Sequence, residues 1–313
     1  MPEKISVLII TRNRAKMLAN CLDSIAAQTR MPDEVIVVDN ASSDNTKKVA
    51  LSFKRKLPMV YTYERQIGMP YARNKGIKET SGTLLLMLDD DCEADKFWVE
   101  RMEKSHQKYP DAWVIQGRTN SLPPTKIYSL LAEFNRFNFI RSCTEEILPL
   151  KSFFSKWFRK EVTILTCNTQ NLSIKISYLK KHKLLFDERF YRGADTDFAR
   201  LIVQKKGLIM FCPLIQVYHW ERPTITQFLE QRWQFGRTAY RIAYKWKTPV
   251  TLNIKSIVPF PRILFNLYLF CKVFNQLHKL PLLIVLFILE RIYRLNGLYY
   301  EKRLLSLTKS NYD

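Results

Sequence analysis

The sequence predicts an α/β protein: an open, mainly parallel sheet flanked by helices, with a helical C-terminal extension that associates with a membrane. Two observations predict it. Over the first 120 residues, short strands that are apolar throughout alternate with helical patterns. Strands of that kind belong to parallel sheets covered on both faces, joined by right-handed crossovers. From Thr224 onward the chain turns helical, apolar and basic.

Taken in order, Ile5–Ile10 reads as a strand and Ala15–Ala27 as the helix after it. Glu34–Asp39 is a second strand, and Asp44–Phe53 a second helix. Met59–Tyr63 follows as a strand and Pro70–Thr80 as a helix closed by Gly82. Thr83–Leu88 is the fourth strand, leading to a helix near Asp95–Lys108 and a strand over Ala112–Gln116. Residues 120–165 are irregular and rich in aromatic and basic side chains. Asn168–Gln204 reads as a loop and then helices, and Leu208–Val217 as a further strand. The expected division is residues 1–220 against 221–313.

With 313 residues, 47% hydrophobic and 25% charged, the chain has a real core and is not a disordered segment. Its 50 Lys and Arg against 29 Asp and Glu leave a formal charge of +21, which calls for an anionic partner. Six scattered cysteines without a CxxC pair, and four histidines, make neither a disulfide framework nor a zinc spacing. No secretory signal is expected, because the apolar run Ile5–Ile10 is too short and lacks a small-residue cleavage site.

Against that surplus of positive charge, LLLMLDDD (Leu84–Asp91) drives three adjacent aspartates off the end of a buried strand. Ligands of open α/β sheets sit beyond the carboxyl ends of the strands. Two other strands also end in polar clusters, Thr11-Arg12-Asn13 and Asp39-Asn40-Ala41-Ser42-Ser43-Asp44. Alternation along an extended segment sends Asp89 and Asp91 to one side and Asp90 to the other. Two carboxylates there suit Mg²⁺ or Mn²⁺ bridging to a phosphate, or else they cap the following helix. Asp39 is placed to accept from a base N–H or a ribose hydroxyl, or to close an Asx-turn.

These stretches, SVLIITRNRAKMLANCLDSIAAQ, EVIVVDNASSDNT and IGMPYARNKGIKETSGTLLLMLDDD, resemble the family 2 glycosyltransferases of GT-A fold. NLSIKISYLKKHKLLFDERFYRGADTDFARLI continues the resemblance, which covers roughly residues 4–240. It implies an inverting enzyme that uses a nucleotide-diphosphate sugar and a divalent metal. The resemblance assigns the donor to Thr11, Arg12, Asn13, Asp39, Asn40, Gly68, Arg73, Asn74, Asp89 and Asp90. It puts the metal on Asp91, with Asp89 and His219, and makes Asp195 the catalytic base. The acceptor falls to Asn171, Trp220 and Arg237. The family more often has Gly-Glu-Asp where this chain has Gly193-Ala194-Asp195, so Ala194 stands in place of a glutamate. The chemistry needs a base in any case, since an attacking hydroxyl must lose its proton. Asp195 is otherwise the cap of a helix over Thr196–Gln204.

Residues 221–313 hold 15 Lys and Arg against 5 Asp and Glu. The apolar run Leu280–Leu289 is ten residues long, about half a membrane span. Apolar stretches with basic and aromatic margins fit helices lying in a membrane interface, and KSFFSKWFRK (Lys151–Lys160) has the same character. The expectation is therefore a cytoplasmic protein, peripheral on the inner face of the cell membrane. Its partners are an anionic membrane surface and a glycan or lipid-linked acceptor, and not nucleic acid. The rivals are a basic nucleic-acid-binding protein, which the aspartate triplet disfavours, a sugar-activating nucleotidyltransferase, which the glycine-free Thr11-Arg12-Asn13-Arg14 disfavours, and a non-catalytic membrane scaffold.

Overall fold

The computed structural model describes residues 3–122, 130–132, 134–135, 161–190, 192–221, 224–249, 264, 267–268, 271 and 277–307. The expected interfacial segment Lys151–Lys160 lies outside them. The chain forms two compact units, one of residues 1–120 with 139–220, the other of 121–138 with 221–313.

The first unit is built on β1 (Ile5–Thr11), α1 (Ala15–Ala26), β2 (Glu34–Asp39), α2 (Thr46–Ser52), β3 (Met59–Tyr63), α3 (Met69–Glu79) and β4 (Leu84–Asp89). Next come β5 (Cys92–Ala94), α4 (Trp98–Lys108), β6 (Ala112–Leu122), β7 (Val162–Ile164), β8 (Leu172–Lys175), α5 (Ile176–His182), α6 (Ala194–Gln204) and β9 (Leu208–Trp220). Elements β1 to β4 and the helices between them start and stop within two residues of the sequence reading. The cause is plain in β1, β2 and β4: nearly every side chain is buried, so the strands need apolar residues on both faces. In α1 the buried residues Leu18, Cys21, Leu22 and Ile25 repeat at helical spacing and cover one face of the sheet.

The sheet order is β3-β2-β1-β4-β8-β6-β9-β5, with β7 on β9. Strands β1 to β4 are parallel, as expected. The other half is antiparallel at the observed joints: β8 lies against both β4 and β6, and β9 against β5 and β7. The sheet is thus mixed. The register aligns three strand ends on one edge, because Thr11 pairs with Asp39 and Ile10 with Asp89.

In the second unit α7 (Ile225–Lys245) begins at Thr224, whose Oγ1 accepts from the Gln227 N–H at 3.2 Å. It packs on α8 (Leu280–Leu307). The two backbones meet at glycines: a Cβ on Gly236 would lie 1.8 Å from the Arg294 carbonyl oxygen, and one on Gly297 2.0 Å from that of Trp233. Buried Glu301 accepts from Arg237 Nε at 2.7 Å and also pairs with Arg241. Buried Glu290 accepts from Asn135 Nδ2 at 2.6 Å and lies 4.0 Å from Arg232. Among the described residues no helix is long and apolar enough to cross a membrane.

Candidate functional site

Strand β4 ends at Asp89, and Asp90 and Asp91 form a turn before β5. The alternation expected across the triplet therefore stops at its first residue. Asp90 does not point away from Asp91. Both converge on Arg14, whose Nη1 donates to Asp90 Oδ1 and to Asp91 Oδ2, each at 2.8 Å. Asp89 turns instead to Arg73, at 3.3 Å, and to the Thr169 hydroxyl, at 3.4 Å. Two guanidiniums thus stand against three carboxylates, which partly answers the charge problem the sequence poses. Sequence reasoning missed Arg14 in this role. The available signal was bookkeeping: three adjacent acids, two of them buried, demand cations, and Arg14 follows shortly after the neighbouring strand end.

Burial works against the charge on Arg14, but Asp90 and Asp91 outweigh it and hold the guanidinium protonated. Burial also pushes the Asp90 carboxyl above the usual carboxylate range; Arg14 pulls it down and Asp91 pushes it further up.

Pairing of β5 with β9 delivers His219 to this turn. Cys92 sits opposite His219, and the Trp220 N–H donates to the Asp91 carbonyl at 2.8 Å. His219 Nε2 comes within 3.5 Å of Asp91 Oδ1, and both side chains are buried. The structure so brings together two of the three expected metal ligands, while Asp89 is engaged with Arg73. Among the described residues, no three His, Cys, Asp or Glu side chains are grouped to hold a metal ion.

The remaining expected donor residues divide in two. Thr11 is buried at the end of β1 and Arg12 is exposed. Asp39 Oδ1 accepts from the Ser42 N–H at 2.9 Å, and its Oδ2 accepts from the Tyr61 hydroxyl at 2.7 Å. Burial and Asp39 push the Tyr61 phenol up, so it stays a donor. The other group is spent on backbone. Asn13 Oδ1 accepts from the Ser43 N–H at 2.7 Å, with Asn13 itself at a positive φ of 52°. Asn40 Oδ1 accepts from the Gly68 N–H at 2.8 Å while its amide nitrogen donates to the Gln66 carbonyl at 2.6 Å. Asn74 clasps Phe186, accepting from its N–H and donating to its carbonyl, each at 2.9 Å. Gly68, at φ 151°, starts α3 in a conformation that side chains avoid.

Asp195 lies in the first turn of α6, after Gly193, and its Oδ1 accepts from the Thr196 N–H at 2.8 Å. Burial pushes its carboxyl up; Arg73 and the Thr196 N–H pull it down, and Asp89 raises it again. Asp195, Asp89 and Arg73 therefore share one electrostatic neighbourhood. Of the expected acceptor residues, Asn171 is fully buried: it donates to the Arg118 and Ile215 carbonyls and accepts from Trp98 Nε1 at 2.8 Å. It holds the core and reaches no open surface. Trp220 is exposed and donates to Glu93 at 2.7 Å, and Arg237 belongs to the second unit, paired with Glu301.

Residues 6–175, more than half of the chain, match the family model described as Glycosyl transferase family 2. The chain belongs to glycosyl transferase family 2. It is similar to the uncharacterized glycosyltransferase YwdF of Bacillus subtilis, 39% identical over 177 residues that make up 54% of this chain and 64% of that one. Matched stretches span a third to just under two thirds of the first curated relatives' lengths. In fold it is similar to S. aureus TarS solved with UDP-GlcNAc, at TM-score 0.55 and 16% identity, over 96% of this chain and 92% of that one. A mannosyltransferase from Pyrobaculum calidifontis, solved with GDP-Man and Mn²⁺, superposes at TM-score 0.57 and 14% identity, over 99% of this chain and 80% of that one. The fold is of GT-A type.

Proposed function

We propose that this family 2 chain is an inverting glycosyltransferase that moves a sugar from a nucleotide-diphosphate donor to a hydroxyl of a lipid-linked or envelope glycan. One observation carries the reading: Asp39, the Asp89–Asp91 cluster and Thr11 share one edge of the parallel strands, where α/β sheets take their ligands, in a chain of this family. Residues 1–220 form the donor and catalytic part, and residues 221–313 a basic, apolar part that meets an anionic membrane surface.

In this reading Thr11 and Asp39 receive the nucleoside, with Tyr61 holding the Asp39 carboxylate in place. Arg73 supplies positive charge beside the diphosphate, and Asp89 reaches the ribose. Asp195 accepts the proton of the acceptor hydroxyl as its oxygen bonds to the anomeric carbon. The bond from that carbon to the diphosphate oxygen breaks on the opposite face, and its electron pair leaves with the nucleoside diphosphate. The raised carboxyl of Asp195 makes it a better base than an ordinary surface aspartate.

The Asp91 carboxylate and the adjacent His219 imidazole fit a divalent ion such as Mn²⁺, leaving other positions to phosphate oxygens and water. Such an ion, when bound, neutralises charge growing on the leaving diphosphate. The test is a panel of nucleotide sugars with Mn²⁺, read by melting temperature and then by donor turnover. A donor that raises the melting temperature, and whose turnover Asp195→Asn abolishes, supports the assignment. Turnover untouched by Asp195→Asn removes the base from it.

A further inference from the structure

Helix α8 is apolar on both of its sides, yet only one side is covered. Leu283, Leu286, Phe287, Leu298 and Leu305 are buried. Away from them lie Leu282, Val285, Leu289, Ile292, Tyr293 and Tyr299, all exposed, Leu282 and Val285 by 56% and 53%. At 100° per residue these positions fall within about a third of the helix circumference. They form an apolar stripe along some five turns, interrupted by the exposed Asn296. A helix that is apolar all round is buried in protein or meets lipid.

Charge decides between occupants. Of the described carboxylates in residues 221–307, Glu221, Glu290 and Glu301 are buried, and only Glu230 is exposed. Glu290 and Glu301 are turned inward onto Arg232, Arg237 and Arg241. The fold thus hides three of these four negative charges and presents Lys247, Lys302 and Arg303 to solvent, the last two beyond the C-terminal end of the stripe. A second copy of this chain would set one cationic surface against another. An anionic bilayer instead offers hydrocarbon to the stripe and phosphate to the basic residues. Tyrosines at the C-terminal half of the stripe suit the headgroup level.

We infer that the exposed stripe of α8 lies in the plane of an anionic lipid surface and attaches the chain to it without spanning. The inference needs nothing from the donor site, so donor turnover in detergent-free buffer stands or falls separately. The experiment is flotation of the full chain with phosphatidylcholine vesicles, with and without phosphatidylglycerol, alongside light scattering. The wild type is expected to float with the anionic vesicles and at least tenfold less with the neutral ones. Leu282→Glu/Val285→Glu is expected to lose at least tenfold in binding at unchanged melting temperature. Lys302→Glu/Arg303→Glu reads the same contact from its charged end and is also expected to float less, whether or not the first variant folds. A wild type that stays soluble beside anionic vesicles overturns the inference. So does either variant floating like the wild type, or a dimer that Leu282→Glu/Val285→Glu splits while flotation is unchanged.

Discussion

Replacing Arg14 by methionine keeps much of the side-chain bulk and removes a cation that touches both Asp90 and Asp91. Both carboxylates are only 6% exposed, so neither can recover its hydration without the turn opening. Removing one partner of a buried ion pair costs about 3–5 kcal/mol. Arg14 is itself 32% exposed, so water already screens part of the attraction, and about 2–3 kcal/mol is the better figure. In a unit of about 200 residues each kcal/mol moves the melting point by about 2–4 °C, so a fall of about 4–12 °C is expected by calorimetry at pH 7.5. The deficit should shrink toward pH 5, since the raised carboxyl of Asp90 then takes up a proton and the like-charge contact with Asp91 is relieved. Asp90→Asn placed on top of Arg14→Met should recover part of the loss for the same reason. A shift under about 2 °C, or Asp90→Asn deepening the loss, would refute the claim that Arg14 compensates the triplet.

The other predictions concern the base, a buried histidine and the helix crossing. Asp195→Asn should lower kcat/KM by about 10²–10⁴ with donor affinity retained, as measured by turnover and calorimetry. In the wild type the acid limb should lie above the ordinary aspartate value of about 3.9, the rate rising with pH as the base loses its proton. His106 accepts or donates at Ser173 while buried, and burial followed by Lys175 lowers its pKa to about 3. Its unfolded form binds a proton below about 6.5, so stability should fall as pH drops through that value, by about 1.4 kcal/mol per pH unit, and level off near pH 3. His106→Gln should flatten the urea-unfolding slope between pH 6.5 and 5 by about 2 kcal/mol over that interval. Gly236→Leu should force α7 from α8, since even a Cβ has no room, and cost about 3 kcal/mol or more in the second unit, visible as an earlier melting transition.

Much of this fold was legible because parallel strands announce themselves. The side chains of β2 are buried at all six positions, and no polar alternation blurs its ends. The antiparallel half was not legible for the opposite reason. Strand β8 is four residues long and hidden in a polar stretch, yet it sits between β4 and β6. Strands β5 and β7 are three residues each and exist only because β9 pairs with them. The same blindness affected the site. Which strand end holds the acids could be read, but how they are paired could not, since a turn at Asp90 replaced the assumed extended chain. Asn40, Asn74 and Asn171 resemble ligand contacts in a motif, and in the fold their amides close loops and core. A polar side chain in a strand-end motif serves the backbone as readily as a substrate.

The most direct test is a crystal of the wild type grown with a nucleoside diphosphate and Mn²⁺, with the anomalous signal of manganese recorded. The account predicts a manganese peak at Asp91 and His219, with the base lying toward Asp39. A nucleotide bound anywhere else on the chain, or a manganese signal that avoids those two side chains, would contradict it.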